Sequence, residues 1–98
     1  MRERLAADLT DALRAKDLRR VKVLRAALAA IANAEAVDAS TVARGVTEVA
    51  RRELTDDDVR AVLVAEHDEL VAAVADLRAH DRDTTDLDAR IEILSAYL

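Results

Sequence analysis

The sequence predicts an all-α fold: a small bundle of four helices over approximately residues 2–16, 18–37, 56–80 and 85–98, with a long loop at 38–54. Three observations predict it. The chain has no proline and a single glycine, Gly45, so little interrupts the hydrogen bonding from one helical turn to the next. Leu, Val and Ile number 27 and recur three and four residues apart, the spacing of one helix face. The only aromatic residue is Tyr97 and alanine supplies much of the other apolar content, which suits aliphatic ridges between closely packed helices. At 98 residues, one core and one domain are expected.

Leu5, Leu9, Ala12 and Leu13 mark the apolar face of a first helix over residues 2–16. Asp17 reads as a break and restart, its carboxylate placed to cap the amides of a second helix and to favour that helix's positive end. Leu18, Val21, Leu24, Leu28 and Ile31 form the clearest apolar stripe in the chain, so the second helix, 18–37, is the expected centre of the core. From Asp38 to Leu54 the periodicity fades. Asp38 and Ser40 offer turn chemistry and Gly45 is the one residue suited to a positive backbone angle, so a surface loop of 17 residues is expected there.

Thr55 and Asp58 have capping-box spacing ahead of Val59, Val62 and Leu63, which starts a third helix near Asp56. That helix runs through Leu70, Val74 and Leu77 to about His80. Thr84 or Thr85 then caps a fourth carrying Leu87, Ile91, Leu94 and Leu98, and the short connector makes helices three and four an antiparallel hairpin.

Composition excludes several functions. Without cysteine there are no disulfides, thiolate metal sites or thiol nucleophiles, and a cytoplasmic location is expected. No run of about 18 apolar residues is present to span a membrane, and the opening Met1-Arg2-Glu3-Arg4 leads into an amphipathic pattern rather than a signal segment. Arginine outnumbers lysine 13 to 2, a bias expected of GC-rich bacterial coding sequence. One tyrosine is little aromatic surface for a cofactor or a stacked base, and no glycine-rich phosphate loop is present, so no cofactor is expected.

The charge is polarised. Residues 1–33 hold eight basic and four acidic side chains (+4), and residues 34–98 hold seven basic and sixteen acidic (−9), which together give the net −5. Halves of opposite sign can attract each other within the fold or present a basic strip to an anionic partner.

The histidines, serines and acidic clusters fit structural roles better than chemical ones. His67, between Glu66 and Asp68, sits at the edge of the apolar side of helix three. Consecutive residues on a helix point about 100° apart and do not close on one ion, so a structural histidine is favoured over a metal ligand. His80 falls where an imidazole can cap the carbonyls at the end of helix three. Neither Ser40 nor Ser95 lies in a sharp glycine-flanked turn that would make a nucleophile. The groups Asp56-Asp57-Asp58 and Asp81, Asp83, Asp86, Asp88 lack the ligand alternation and glycine of a calcium loop, so helix capping explains them and no metal is expected. No catalytic residue is assigned.

The basic strip is the main candidate for binding. Arg14, Lys16, Arg19, Arg20, Lys22 and Arg25 lie within twelve residues and are opposed only by Asp17. Helical spacing places Arg19 and Lys22 away from the apolar stripe, with Arg20 and Arg25 flanking it. Such flanking arginines can lie along the core and reach acidic residues of other helices, whereas solvent-facing ones can contact phosphates in a salt-sensitive way.

The ordered set of Arg4 and Leu5, Asp8 and Leu9, the Ala15-Lys16-Asp17 turn, Leu24 and Arg25, Asn33 and Glu35, Leu54 and Thr55, and the closing Ile93, Leu94, Tyr97 and Leu98 resembles the helical N-terminal region of the GatB/YqeY family. The resemblance spans nearly the whole chain. It implies an all-helical fold related to the tail region of GatB, a subunit of the tRNA-dependent amidotransferase, where other domains carry the catalysis and the tail helps to engage tRNA. It also marks Asp17, Asn33 and Glu35 as family-motif polar positions. Typical members continue into a further helical module, which this chain, stopping at Leu98, is expected to lack. They also carry basic residues in helix three and a Gly-Arg turn after it, where this chain has Glu66, His67, Asp68, Glu69 and then Ala79 and His80.

The expected function is therefore a non-catalytic helical binding module whose partner is tRNA or a translation-related protein, with Lys16, Arg19, Lys22 and Arg25 making the contact. One alternative is an accessory role in glutamine-dependent tRNA amidation, the carbon-nitrogen ligase label that the family name carries. The other is a self-associating structural protein, a homodimer burying apolar surface around Val64, Val71 or Val23.

Overall fold

The computed structural model describes residues 1–45 and 54–98, with residues 37–45 described by their backbone alone. Among the described residues the fold is all-α with no strand, and the helices run α1 (Arg2–Ala15), α2 (Leu18–Gly45), α3 (Asp56–Ala79) and α4 (Thr85–Ser95). α2 is the central rod. α1, α3 and α4 each pack against it, and α3 and α4 form a hairpin.

The core follows the apolar stripes. Val21, Leu24, Ala27 and Ile31 line the inner side of α2 and meet Leu5 and Ala12 of α1, Val59 and Leu63 of α3, and Leu94 and Tyr97 at the end of the chain. Leu5, Leu24 and Leu63 are fully enclosed. No charged or polar residue belongs to the buried class among those described, so the interior is held by aliphatic packing.

Two helices are followed by a left-handed residue that is not glycine. Lys16 follows α1 in the left-handed region (φ 56°), with its amide donating to Leu13 O (3.2 Å) and the Asp17 amide to Ala12 O (3.0 Å). Asp81 repeats the arrangement after α3 (φ 53°), with Asp81 N to Arg78 O (3.2 Å) and Arg82 N to Leu77 O (2.8 Å). These paired bonds are Schellman motifs, which satisfy the terminal carbonyls and reverse the chain within a few residues. Asp17 closes α1 and also starts α2: its carboxylate accepts from the Arg20 amide (3.2 Å) and its carbonyl from the Val21 amide (3.0 Å). A connector of two residues thus folds α1 back onto α2.

The Thr55/Asp58 capping box forms as the spacing predicts, the Thr55 hydroxyl accepting from Asp58 N (3.1 Å) and the Asp58 carboxylate from Thr55 N (3.0 Å). At α4, Thr84 is the N-cap, but its hydroxyl donates to the Asp88 carboxylate (2.8 Å) and accepts no amide. The acceptor is Asp83, which takes the Thr85 amide (3.1 Å) and hydroxyl (2.6 Å).

Other expectations are corrected. The expected loop at 38–54 begins too early, because α2 continues to Gly45. Fading apolar periodicity removes a buried face but no backbone donor, and with no proline in 38–45 the helical hydrogen bonds continue. Gly45 itself is the last helical residue, and no described glycine has a positive φ. The remainder of that loop, 46–53, lies outside the described residues. Helix four ends at Ser95 rather than Leu98. Ala96, Tyr97 and Leu98 tighten onto Ile93, Leu94 and Ser95 carbonyls, which tucks Tyr97 into the core at 4% exposure. Leu18, assigned to the apolar stripe, is 78% exposed, and Leu13 is also exposed. Val23, proposed as dimer surface, is buried in the core, whereas Val64 and Val71 are exposed on α3.

Candidate partner-binding surfaces

The outward side of α2 is set by the packing of its inward side. With Val21, Leu24, Ala27 and Ile31 facing the core, Leu18, Lys22, Arg25, Ala29, Asn33 and Ala36 are the exposed positions on the opposite face. Lys22 and Asn33 are eleven residues apart, about 20° in azimuth and roughly 16 Å along the axis. Lys22 and Arg25 make no ion pair or side-chain hydrogen bond among the described residues, nor does the exposed Lys16 at the turn before them. Arg25 therefore does not flank the apolar stripe but projects to solvent. Lys22 and Arg25 thus leave two unpaired cations on the outer face of α2, with the unpaired Lys16 in the turn before it.

Arg19 has an internal role. Its Nε donates to the Asp86 carboxylate at 3.0 Å, tying the start of α2 to α4, and Arg90 grips the same carboxylate at 2.7 Å. The hydrogen bond from Arg19 holds the Asp86 carboxyl below its ordinary pKa. Among the family-motif positions, Asp17 is the shared cap, Glu35 is ion-paired with Arg2 across the α1–α2 interface, and Asn33 is exposed on the outer face.

Arg20 occupies the opposite side of α2. The spacing Arg20, Leu24, Ala27, Ile31 puts it in line with the buried stripe, one turn before Leu24, and the residue is partly buried. It opens into a groove of about 540 Å³ between α1, the first turn of α2 and the end of α4. Along one wall Tyr97 donates its hydroxyl to the Asp8 carboxylate (2.5 Å), and Arg4 stacks on the Tyr97 ring at 4.6 Å while donating to Ala96 O (3.3 Å). Burial, reinforced by the bond to Asp8, pushes the Tyr97 phenol pKa up. The Arg20 guanidinium makes no ion pair or side-chain hydrogen bond among the described residues, and acts on Tyr97 electrostatically. Sequence reasoning placed Arg20 at the edge of the apolar stripe, although the four-three-four spacing to Leu24, Ala27 and Ile31 already marked it as core-facing.

A smaller cavity of about 70 Å³ lies between α2, α3 and α4, bounded by Val23, Ala27, Leu70 and Leu94 with Lys22, Glu66 and Arg90 at its edge. Burial, then repulsion from Glu69, raises the Glu66 carboxyl pKa. His67 approaches its neighbour Asp68 (3.6 Å), and His80 Nδ1 bonds the Asp76 carbonyl (2.9 Å) in the capping role that its position predicts. Among the described residues no three His, Cys, Asp or Glu side chains converge as a metal site, and no helix is long and apolar enough to cross a membrane.

Compared with protein-family models, curated proteins and solved structures, this chain matches none. The functional reading therefore rests on the residues themselves and on the ordered resemblance described above.

Proposed function

We propose that this chain is a non-catalytic helical binding module of the GatB/YqeY type that engages RNA, tRNA being the class implied by the resemblance. The observation that carries the proposal is the exposed and unpaired set Lys16, Lys22 and Arg25 in a chain whose net charge is −5. Arg19 lies beside them with its guanidinium half-exposed but already committed to Asp86.

The backbone of Lys16 supports the same reading. A residue with a side chain in the left-handed region costs about 1–2 kcal/mol, a cost that glycine would avoid. A lysine held there presents its ammonium at the tip of a rigid two-residue turn. Spacing along α2 then lets Lys22 and Arg25 follow a phosphate backbone, with Asn33 further along the same face as a hydrogen-bonding group.

The test is filter binding of total tRNA at two salt concentrations, with the wild-type chain and the Lys22→Glu/Arg25→Glu double variant. Three phosphate contacts predict that log K falls by about 2–3 per decade of salt. The double variant loses binding. Absent or salt-independent retention of tRNA by the wild-type chain refutes the proposal. If an acidic protein competes for the same residues while tRNA does not, the partner is a protein.

A further inference from the structure

The Arg20 groove is a separate feature, on the side of α2 away from the basic face. Its other polar groups each have a place. Asp8 receives the Tyr97 hydroxyl, Asp17 caps α2, Arg19 is held by Asp86, and Arg4 lies on Tyr97 and Ala96 O. Glu92 is exposed at the rim. The guanidinium of Arg20 is the group in the groove with no direct ion pair or side-chain hydrogen bond among the described residues; it acts on Tyr97 through space.

Three features make that arginine unfavourable in the isolated chain. It continues the core-facing stripe where an aliphatic residue would bury apolar area, it is partly buried without a direct ion pair, and it stands in the first turn of α2, where the helix dipole disfavours a cation. An anion entering the groove relieves the last two. The groove also offers an apolar floor of Ala89, Ile93 and Ala96 beside the cation.

We infer that this groove is a binding site for a small organic monocarboxylate with an apolar body, its carboxylate paired with Arg20 and its body lying on Ile93 and its neighbours. A planar carboxylate matches the two-pronged donor geometry of a guanidinium. The single charge matters because Asp8, Asp17 and Glu92 line the same groove, so a phosphate dianion meets about twice the repulsion that a monoanion does. The volume is within the range of small-molecule sites, about 300–1,000 Å³.

Tyr97 is the only aromatic residue, so intrinsic tyrosine fluorescence reports on this groove alone. The experiment titrates the full chain with N-acetylleucine, N-acetylleucinamide and inorganic phosphate, following Tyr97 fluorescence together with the Arg20 Nε–H resonance by NMR. Saturable binding of N-acetylleucine with a shifted Arg20 signal is expected, and neither the neutral amide nor phosphate should saturate. Arg20→Leu weakens that binding at least tenfold yet folds with an equal or higher melting temperature, because it completes the apolar stripe. Arg20→Lys keeps the charge without the fork and retains weaker binding.

Any of four results overturns the inference: no saturation by N-acetylleucine, equal binding of the amide, tighter binding of phosphate, or unchanged affinity in Arg20→Leu. A large loss of stability in Arg20→Leu also overturns it, since the guanidinium would then have a partner within the fold.

Discussion

Replacing Lys16 by glycine should stabilise the protein, and the structure fixes both the size and the control. Lys16 sits at φ 56°, ψ 32°, where an L-residue with a β-carbon is strained by about 1–2 kcal/mol. Glycine removes that strain but adds about 0.5–1 kcal/mol of backbone entropy to the unfolded chain. The charge effect is small, since the ammonium lies between the negative end of α1 and the positive end of α2, which act on it in opposite senses. Lys16→Ala removes the same charge and keeps the strain, so the Gly and Ala variants differ by the backbone term alone. That difference should be about 0.5–1 kcal/mol in favour of glycine, or roughly 2–8 °C in melting temperature for a domain of this size. Far-UV circular dichroism melts of the three proteins measure it, with chemical denaturation as a second readout. If the Gly and Ala variants melt together, or glycine is the less stable, the left-handed turn does not bear the assigned strain and its use in support of the binding surface fails.

Leu24 is fully enclosed at the centre of α2, so Leu24→Ala should cost about 2–5 kcal/mol in urea unfolding, whereas Leu18→Ala, at a residue 78% exposed, should cost little. Stability should also vary non-monotonically on acidification. The Glu66 carboxyl pKa is raised by burial, so the folded state takes up that proton first and stability rises as pH falls through the raised value. The Asp83 and Asp86 pKa values are lowered by hydrogen bonds from Thr85 and Arg19, so their contribution, present above the ordinary carboxylate range of about pH 4, is lost as pH falls further. Glu66→Gln should abolish the rise and Asp86→Asn should reduce the later fall. A pH series of melting curves that declines from neutrality in Glu66→Gln and wild type alike removes the role given to Glu66.

The helices were legible because their signals are local. Asp17, the Thr55/Asp58 pair and His80 act on backbone groups within a turn of themselves, and sequence spacing is enough to find such interactions. The end of α2 was not legible, because weak apolar periodicity reports the lack of a buried face rather than the end of a helix. Leu18 misled for a related reason: in register it is nearly in line with Lys22 and Arg25, and only the position of α1 decides which side of α2 is inside. The ion pairs were least accessible. Arg19 meets Asp86 across 67 residues of sequence, a pairing set by how the α3–α4 hairpin lies on α2.

The strip Lys16 to Arg25 looked uniform in the sequence, yet the fold divides it by azimuth into unlike parts. Arg19 is joined to α4, Lys22 and Arg25 face solvent, and Arg20 faces a groove in which it makes no direct ion pair among the described residues. Two choices in this strip work against stability: a lysine where glycine suits the backbone, and an arginine where leucine suits the packing. They lie four residues apart in chain order around one helical junction, whereas the other departures, Asp81 in the left-handed region and exposed Val64 and Val71, are scattered along α3 and its end. Two local rules broken at one helical junction make that junction the place to test for a surface kept for a ligand rather than for the fold. Lys16→Gly and Arg20→Leu therefore test one argument from two sides. If both variants gain stability and each loses binding to its own ligand class, the α1–α2 junction carries the function; a gain in stability with no loss of either binding leaves these residues as unoptimised packing.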